Sequence, residues 1–101
     1  MDYLDIRNTT GYETVAASQT TQALGATGAK GDYIERLIVT VATAATGTVT
    51  LTDTGGSAIV ITAANTPIGV YTVTLGLKSI SGAWSVTTGA GATVLAIGSF
   101  T

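Results

Sequence analysis

At 101 residues the chain has room for one domain with a single core, and a core of that size stands without disulfides or metal. Only 10% of residues are charged, against about 25% in an average globular domain, and a net charge of −2 argues against the clustered Lys and Arg of a nucleic-acid surface. With no Cys and no His, the usual zinc, haem and copper ligands are missing and no disulfide scaffold is possible.

Residues 1–12 read as an extended N-terminal arm, in which Tyr3, Leu4, Ile6 and Tyr12 are apolar but sustain neither a strand nor a helix period. Residues 13–101 read as one domain. Thr14 to Leu24 is weakly patterned and is predicted as an edge strand. GATGAKGD, from Gly25 to Asp32, is a loop. The strongest strand follows, Tyr33 to Val41: Leu37, Val39 and Val41 alternate on one face, and Ile34 and Ile38 share the other with Arg36 and Thr40. Apolar residues on both faces predict a strand covered on both sides, by the fold or by a neighbouring subunit.

Thr48, Thr50 and Thr52 then alternate with Val49 and Leu51, as a half-buried antiparallel strand requires. Asp53-Thr54-Gly55-Gly56 is a turn, because Asp favours turn starts and Gly tolerates positive φ. Ser57 to Thr62 returns with Ile59 and Ile61 inward, and Asn65 to Gly69 is a longer connection containing the only Pro. From Val70 to Leu77, Tyr71, Val73, Leu75 and Leu77 are expected inward and Thr72 and Thr74 outward. Trp84 and Val86 share a face of a short strand between glycine turns, and Thr93 to Phe100 closes the domain. Seven or eight short strands at near-regular spacing, with no sustained helical period, predict an all-β antiparallel sandwich of jelly-roll type.

Two uncharged runs, from Asp53 to Lys78 and beyond Lys78, are long enough to cross a bilayer. They contain Gly, Thr and Ser throughout and alternate, so no membrane span is expected. MDYLDIRN carries acids where a secretion leader needs a basic region. Thr makes up about a fifth of the chain, so hydroxyls in place of charges carry solubility. Such a surface is weakly defended against association and suits a subunit packed against neighbours.

Catalytic chemistry is hard to assemble from this inventory, and no enzyme activity and no cofactor are expected. Ser and Thr need an activating base, and no Lys stands at a recognisable spacing from a Ser. The close carboxylate pairs, Asp2 with Asp5 and Asp32 with Glu35, read as solvated charge. Lys30 in GATGAKGD is followed by neither Ser nor Thr, and a strand follows where a phosphate-binding loop opens a helix. Trp84 could serve a carbohydrate-binding module if exposed, but its pattern favours the core or a subunit interface.

The segments SQTTQALGATGAKGDYIERLIVTV (18–41), NTPIGVYTVTLGLKSI (65–80) and GAWSVTTGAGATVLAIGSF (82–100) resemble small virion structural proteins of tailed bacteriophages. The resemblance spans about four-fifths of the chain and rests on packing and turn residues. It implies a structural role in a phage particle, with the head surface as the expected location. The expectation is a capsid decoration or cement protein that binds the major capsid protein, or other virion proteins, as a homo-oligomer, with a trimer favoured. Tyr3, Leu4, Ile6, Tyr12, Ile34, Ile38 and Trp84 are the candidate interface residues. A tail, fibre or adaptor subunit is the first alternative, and a carbohydrate-binding module is the second.

Overall fold

The computed structural model of the chain describes residues 11–101. Among them are eight strands and no helix: β1 (Gly11–Val15), β2 (Gln22–Ala23), β3 (Tyr33–Val41), β4 (Val49–Asp53), β5 (Ile59–Thr62), β6 (Gly69–Lys78), β7 (Trp84–Thr87) and β8 (Ala92–Ser99). They form two antiparallel four-stranded sheets. The first has the order β1-β8-β3-β6 and the second β2-β7-β4-β5. The pairs β1·β8, β2·β7, β3·β6 and β4·β5 are those of one long hairpin rolled up on itself. The contacts β3·β8 and β4·β7 then close each sheet. This strand order is that of a jelly roll.

In β3, β4 and β7 the sheets bury the period-2 faces the sequence predicts. Val15, Leu37, Val39, Val41, Val94 and Ala96 come from the first sheet, and Val49, Leu51, Trp84 and Val86 from the second, with Leu24 beside them. The β-branched content of β3 and β8 suits their central positions in the first sheet.

Several expectations are corrected. Thr14 to Leu24 is not one edge strand. β1 ends at Val15 and β2 begins at Gln22, in the other sheet. Ser18 and Thr21 adopt positive φ (60° and 43°) as the chain crosses over, and the Ser18 N–H donates to the Gly89 carbonyl at 3.1 Å. Gly11 and Tyr12, placed in the arm, are part of β1.

The second correction concerns Ile34, which does not share a face with Ile38. Ile34 pairs with Gly98 but Arg36 pairs with Ile97, so β3 carries an extra residue at Glu35. Such a bulge reverses the alternation, and Ile34 turns into the core with no exposed surface. Gly98 permits this crowding: a Cβ there would lie 2.2 Å from the Tyr33 carbonyl oxygen. The same irregularity displaces Leu77, which is exposed where burial was expected. Gly76 beside it adopts a positive φ (63°), which glycine takes at no steric cost.

Third, Ile59 is exposed, because β5 is an edge strand with its own register shift opposite Val49 and Thr50; Ile61 reaches the core only in part.

The fourth is Asp32, which is only 4% exposed and not solvated. Its carboxylate accepts hydrogen bonds from the Ala29 N–H (3.0 Å), the Thr101 N–H (3.2 Å) and the Thr101 hydroxyl (3.0 Å). Its carbonyl accepts from Trp84 Nε1 at 3.0 Å and from the Ser79 N–H at 2.9 Å. One residue thereby fastens the 25–32 loop, the last residue of the sequence and the core Trp. Asp53 plays a similar part, accepting from the N–H groups of Ile80 (2.8 Å), Ser81 (3.2 Å) and Gly82 (3.2 Å).

Candidate interaction surface

Because paired residues in an antiparallel ladder point to the same side, the registers define what each sheet shows to its surroundings. On the outer face of the first sheet, Tyr12 is opposite Ile97, which is opposite Arg36, which is opposite Thr74. One row along, Thr14, Leu95, Ile38 and Thr72 stand side by side. Beyond them lie Thr93, Thr40 and Val70. Tyr12, Ile97, Leu95 and Ile38 are thus one contiguous apolar group, with Val70 at its margin. Tyr12 is 74% exposed and Val70 65%, while Ile38, Leu95 and Ile97 are half-buried among their threonine neighbours. Arg36 is the one charge among these paired positions. A contiguous apolar group on a sheet face is the kind of surface at which proteins meet partners.

The outer face of the second sheet is different in kind. Thr50 pairs with Thr87, and Thr52 with Ser85, giving a block of hydroxyls, with Val60 opposite Thr50 as an apolar residue at its β5 margin. They are partly engaged already: the Thr21 N–H donates to Thr87 Oγ1 at 2.9 Å, and Ser85 Oγ donates to the Thr52 carbonyl at 3.3 Å. A third region is the flank where β5 and β6 form the free edges of the two sheets. Ile59, Val60, Ile68, Leu77 and Ile80 are exposed there.

Of the residues expected at an interface, Tyr12 and Ile38 are brought to one face on either side of β8. Tyr3, Leu4 and Ile6 lie outside the described residues, in the ten that lead directly into β1. Ile34 and Trp84 are withdrawn from any interface, since both are buried in the domain's own core. Trp84 is 3% exposed with its indole N–H spent on Asp32, so it offers no platform on which a sugar could stack. Leu95, Ile97 and Val70 were missed. The signal was present in TVLAIGS, where Val94 and Ala96 fill one parity and Leu95 and Ile97 the other, the same two-faced pattern that singled out β3.

Among the described residues no three or more Asp and Glu side chains gather as a metal site would, and no helix is long and apolar enough to cross a membrane. One buried side-chain oxygen, Thr62 Oγ1, lacks a hydrogen-bond partner, and we have no physical account of it. The chain matches no family model, no curated protein and no solved structure.

Proposed function

We propose that this chain is a virion structural protein of a tailed bacteriophage, a decoration protein that docks on the outer capsid surface as a homo-oligomer. The observation that carries the reading is the apolar group Tyr12, Ile97, Leu95 and Ile38 on one sheet face, bearing Arg36 as its single charge. The resemblance of residues 18–100 to phage virion proteins supplies the partner, and the jelly roll is an architecture that capsid and lectin domains share. Fold alone does not choose between those two. The burial of Trp84 weighs against the carbohydrate alternative.

In this mechanism the outer face of the first sheet lies on the capsid, and Tyr3, Leu4 and Ile6 of the N-terminal segment add to the contact. Cementing is mass action: a protein that binds only the assembled lattice stabilises it. Repeated weak contacts over a symmetric shell add up through multivalency. Burying an apolar side chain contributes about 1.5–3 kcal/mol when exposure is complete, so four partly exposed ones contribute a few kcal/mol per copy.

The test is co-sedimentation with phage capsids that lack the protein. Full-length chain should bind, and Tyr12→Lys with Ile38→Lys should abolish binding while the β circular dichroism is kept. Removal of residues 1–10 should weaken binding without unfolding the domain. Undiminished binding by the double variant sinks the docking face. Electron microscopy of labelled particles separates the tail alternative: copies spread over the head support decoration, and copies confined to one vertex refute it.

A further inference from the structure

β6 is the longest strand, ten residues, and it is the free edge of the first sheet. Edge strands ordinarily guard their unpaired N–H and C=O groups with charge, Pro or a bulge. From Gly69 to Leu77 there is no charged residue and no Pro. The irregular register falls beyond Thr74, so Gly69 to Thr74 run unbroken beside Val41 to Arg36. Of the seven exposed large apolar side chains among the described residues, six lie on β5, on β6 or within two residues of β6: Ile59, Val60, Ile68, Val70, Leu77 and Ile80. Tyr71 and Leu75 close the core on this side only in part.

We infer that a second copy of this chain occupies this edge, its β6 pairing antiparallel with the first to make one continuous eight-stranded sheet. The strand is complementary to itself. A two-fold axis through Thr72 sets Val70 opposite Thr74 and Tyr71 opposite Val73 of the other copy. Aromatic and β-branched cross-strand pairs of this kind stabilise a ladder. The strand's one charge, Lys78, stands six residues from the axis. The two lysines are then about 40 Å apart at about 3.3 Å per residue, so no like charges meet. Among the described residues the other edge strands are shorter: β1 has five, β5 four and β2 two.

A strand paired with its own copy is isologous and closes at two. The assembly unit is then a dimer, where the resemblance to phage virion proteins favours a trimer. Residues paired across the axis point to the same side, so both outer faces of the first sheets look the same way. On the docking reading proposed above, this doubles the face presented to the capsid; the pairing itself stands without that reading.

The experiment uses the isolated full-length chain. Its mass in solution, by light scattering at tens of micromolar, should be twice the chain mass. Thr72 is exposed on the outer face, so Thr72→Lys should halve that mass and leave the circular dichroism unchanged. The chain has no Cys, so one introduced thiol reports alone. Thr72→Cys should form an intermolecular disulfide on mild oxidation, because directly opposed residues bring Cα atoms to about 4.5–5.5 Å, within disulfide reach. Thr52→Cys, on the far sheet, should not. A monomeric or trimeric mass overturns the inference, as does a dimer that survives Thr72→Lys and leaves Thr72→Cys unlinked. Capsid co-sedimentation of the unsubstituted chain separates the two readings: a chain that is monomeric in solution yet sediments leaves docking intact, and a dimer that never sediments leaves pairing intact.

Discussion

Replacing Asp32 by Ala should cost more stability than any other single change to a charged residue among the described ones. The carboxylate holds three donors, the Ala29 and Thr101 N–H groups and the Thr101 hydroxyl, at 3.0, 3.2 and 3.0 Å. Hydrogen bonds to a charged group contribute roughly 1.5–3 kcal/mol each. Thr101 is exposed and its freed groups turn to water, which removes part of that. The expected loss is therefore about 3–4 kcal/mol, a large share of the roughly 5–15 kcal/mol that holds a domain together. Asp32→Asn is the sharper probe. One amide oxygen can keep the two N–H donors, both of which use Oδ2, and the new amide can donate to the Thr101 hydroxyl. We expect a loss of about 1 kcal/mol for Asn, the scale of one ordinary hydrogen bond. The assay is equilibrium urea unfolding followed by Trp84 fluorescence, with an unchanged m-value marking a true stability change. An Ala variant within about 0.5 kcal/mol of the parent, the range of ordinary surface changes, would refute the clasp. So would equal losses for Ala and Asn.

Trp84 should emit as a buried indole and resist acrylamide quenching; Trp84→Phe should lower stability by about 2–3 kcal/mol, through lost volume and one hydrogen bond. The Asp32 carbonyl keeps the Ser79 N–H and is not orphaned, which caps the second contribution. Asp53→Ala releases three backbone donors of the 80–82 turn and should cost about 1–2 kcal/mol, because the Ile80 and Ser81 sites are open to water. Faster amide exchange confined to that turn is the accompanying readout. Gly98→Ala drives a methyl into the Tyr33 carbonyl and should cost upwards of about 2 kcal/mol, measured by thermal melting; a neutral outcome would mean the bulge at Glu35 is not where the registers place it.

The parts of the fold that were readable came from period-2 burial. Leu37, Val39 and Val41 in β3, and Val49 and Leu51 in β4, announce their inward faces because each strand has one buried side. What was hidden depended on contacts remote in sequence. Nothing near Ile34 signals a bulge at Glu35; it follows from pairing with Gly98, more than sixty residues away, where the missing side chain lets two backbones crowd. Asp32 reads as a solvated acid until Thr101 arrives beside it. The jelly-roll order is non-local in the same way, since β1 finds β8 only after the whole chain has rolled up. The outer face fell between these cases. Ile38 was legible as a second apolar parity, but Tyr12 joins it only because β8 lies between their strands.

The two outer faces differ enough to fix an orientation on the proposed particle. The first sheet shows Tyr12, Ile97, Leu95 and Ile38; the second shows Thr50, Thr52, Ser85 and Thr87 in a block that water can solvate at no desolvation cost. Turning the second sheet to the capsid would bury hydroxyls already shared with backbone groups, and would leave the apolar group exposed. The favourable arrangement is the first sheet down and the second outward. Single thiols in this cysteine-free chain measure it directly: Thr93→Cys, exposed on the first sheet's outer face, should lose maleimide reactivity when the protein is bound to capsids, and Thr52→Cys should keep it. Equal protection of the two would place neither sheet against the shell, and the apolar group would then need another partner.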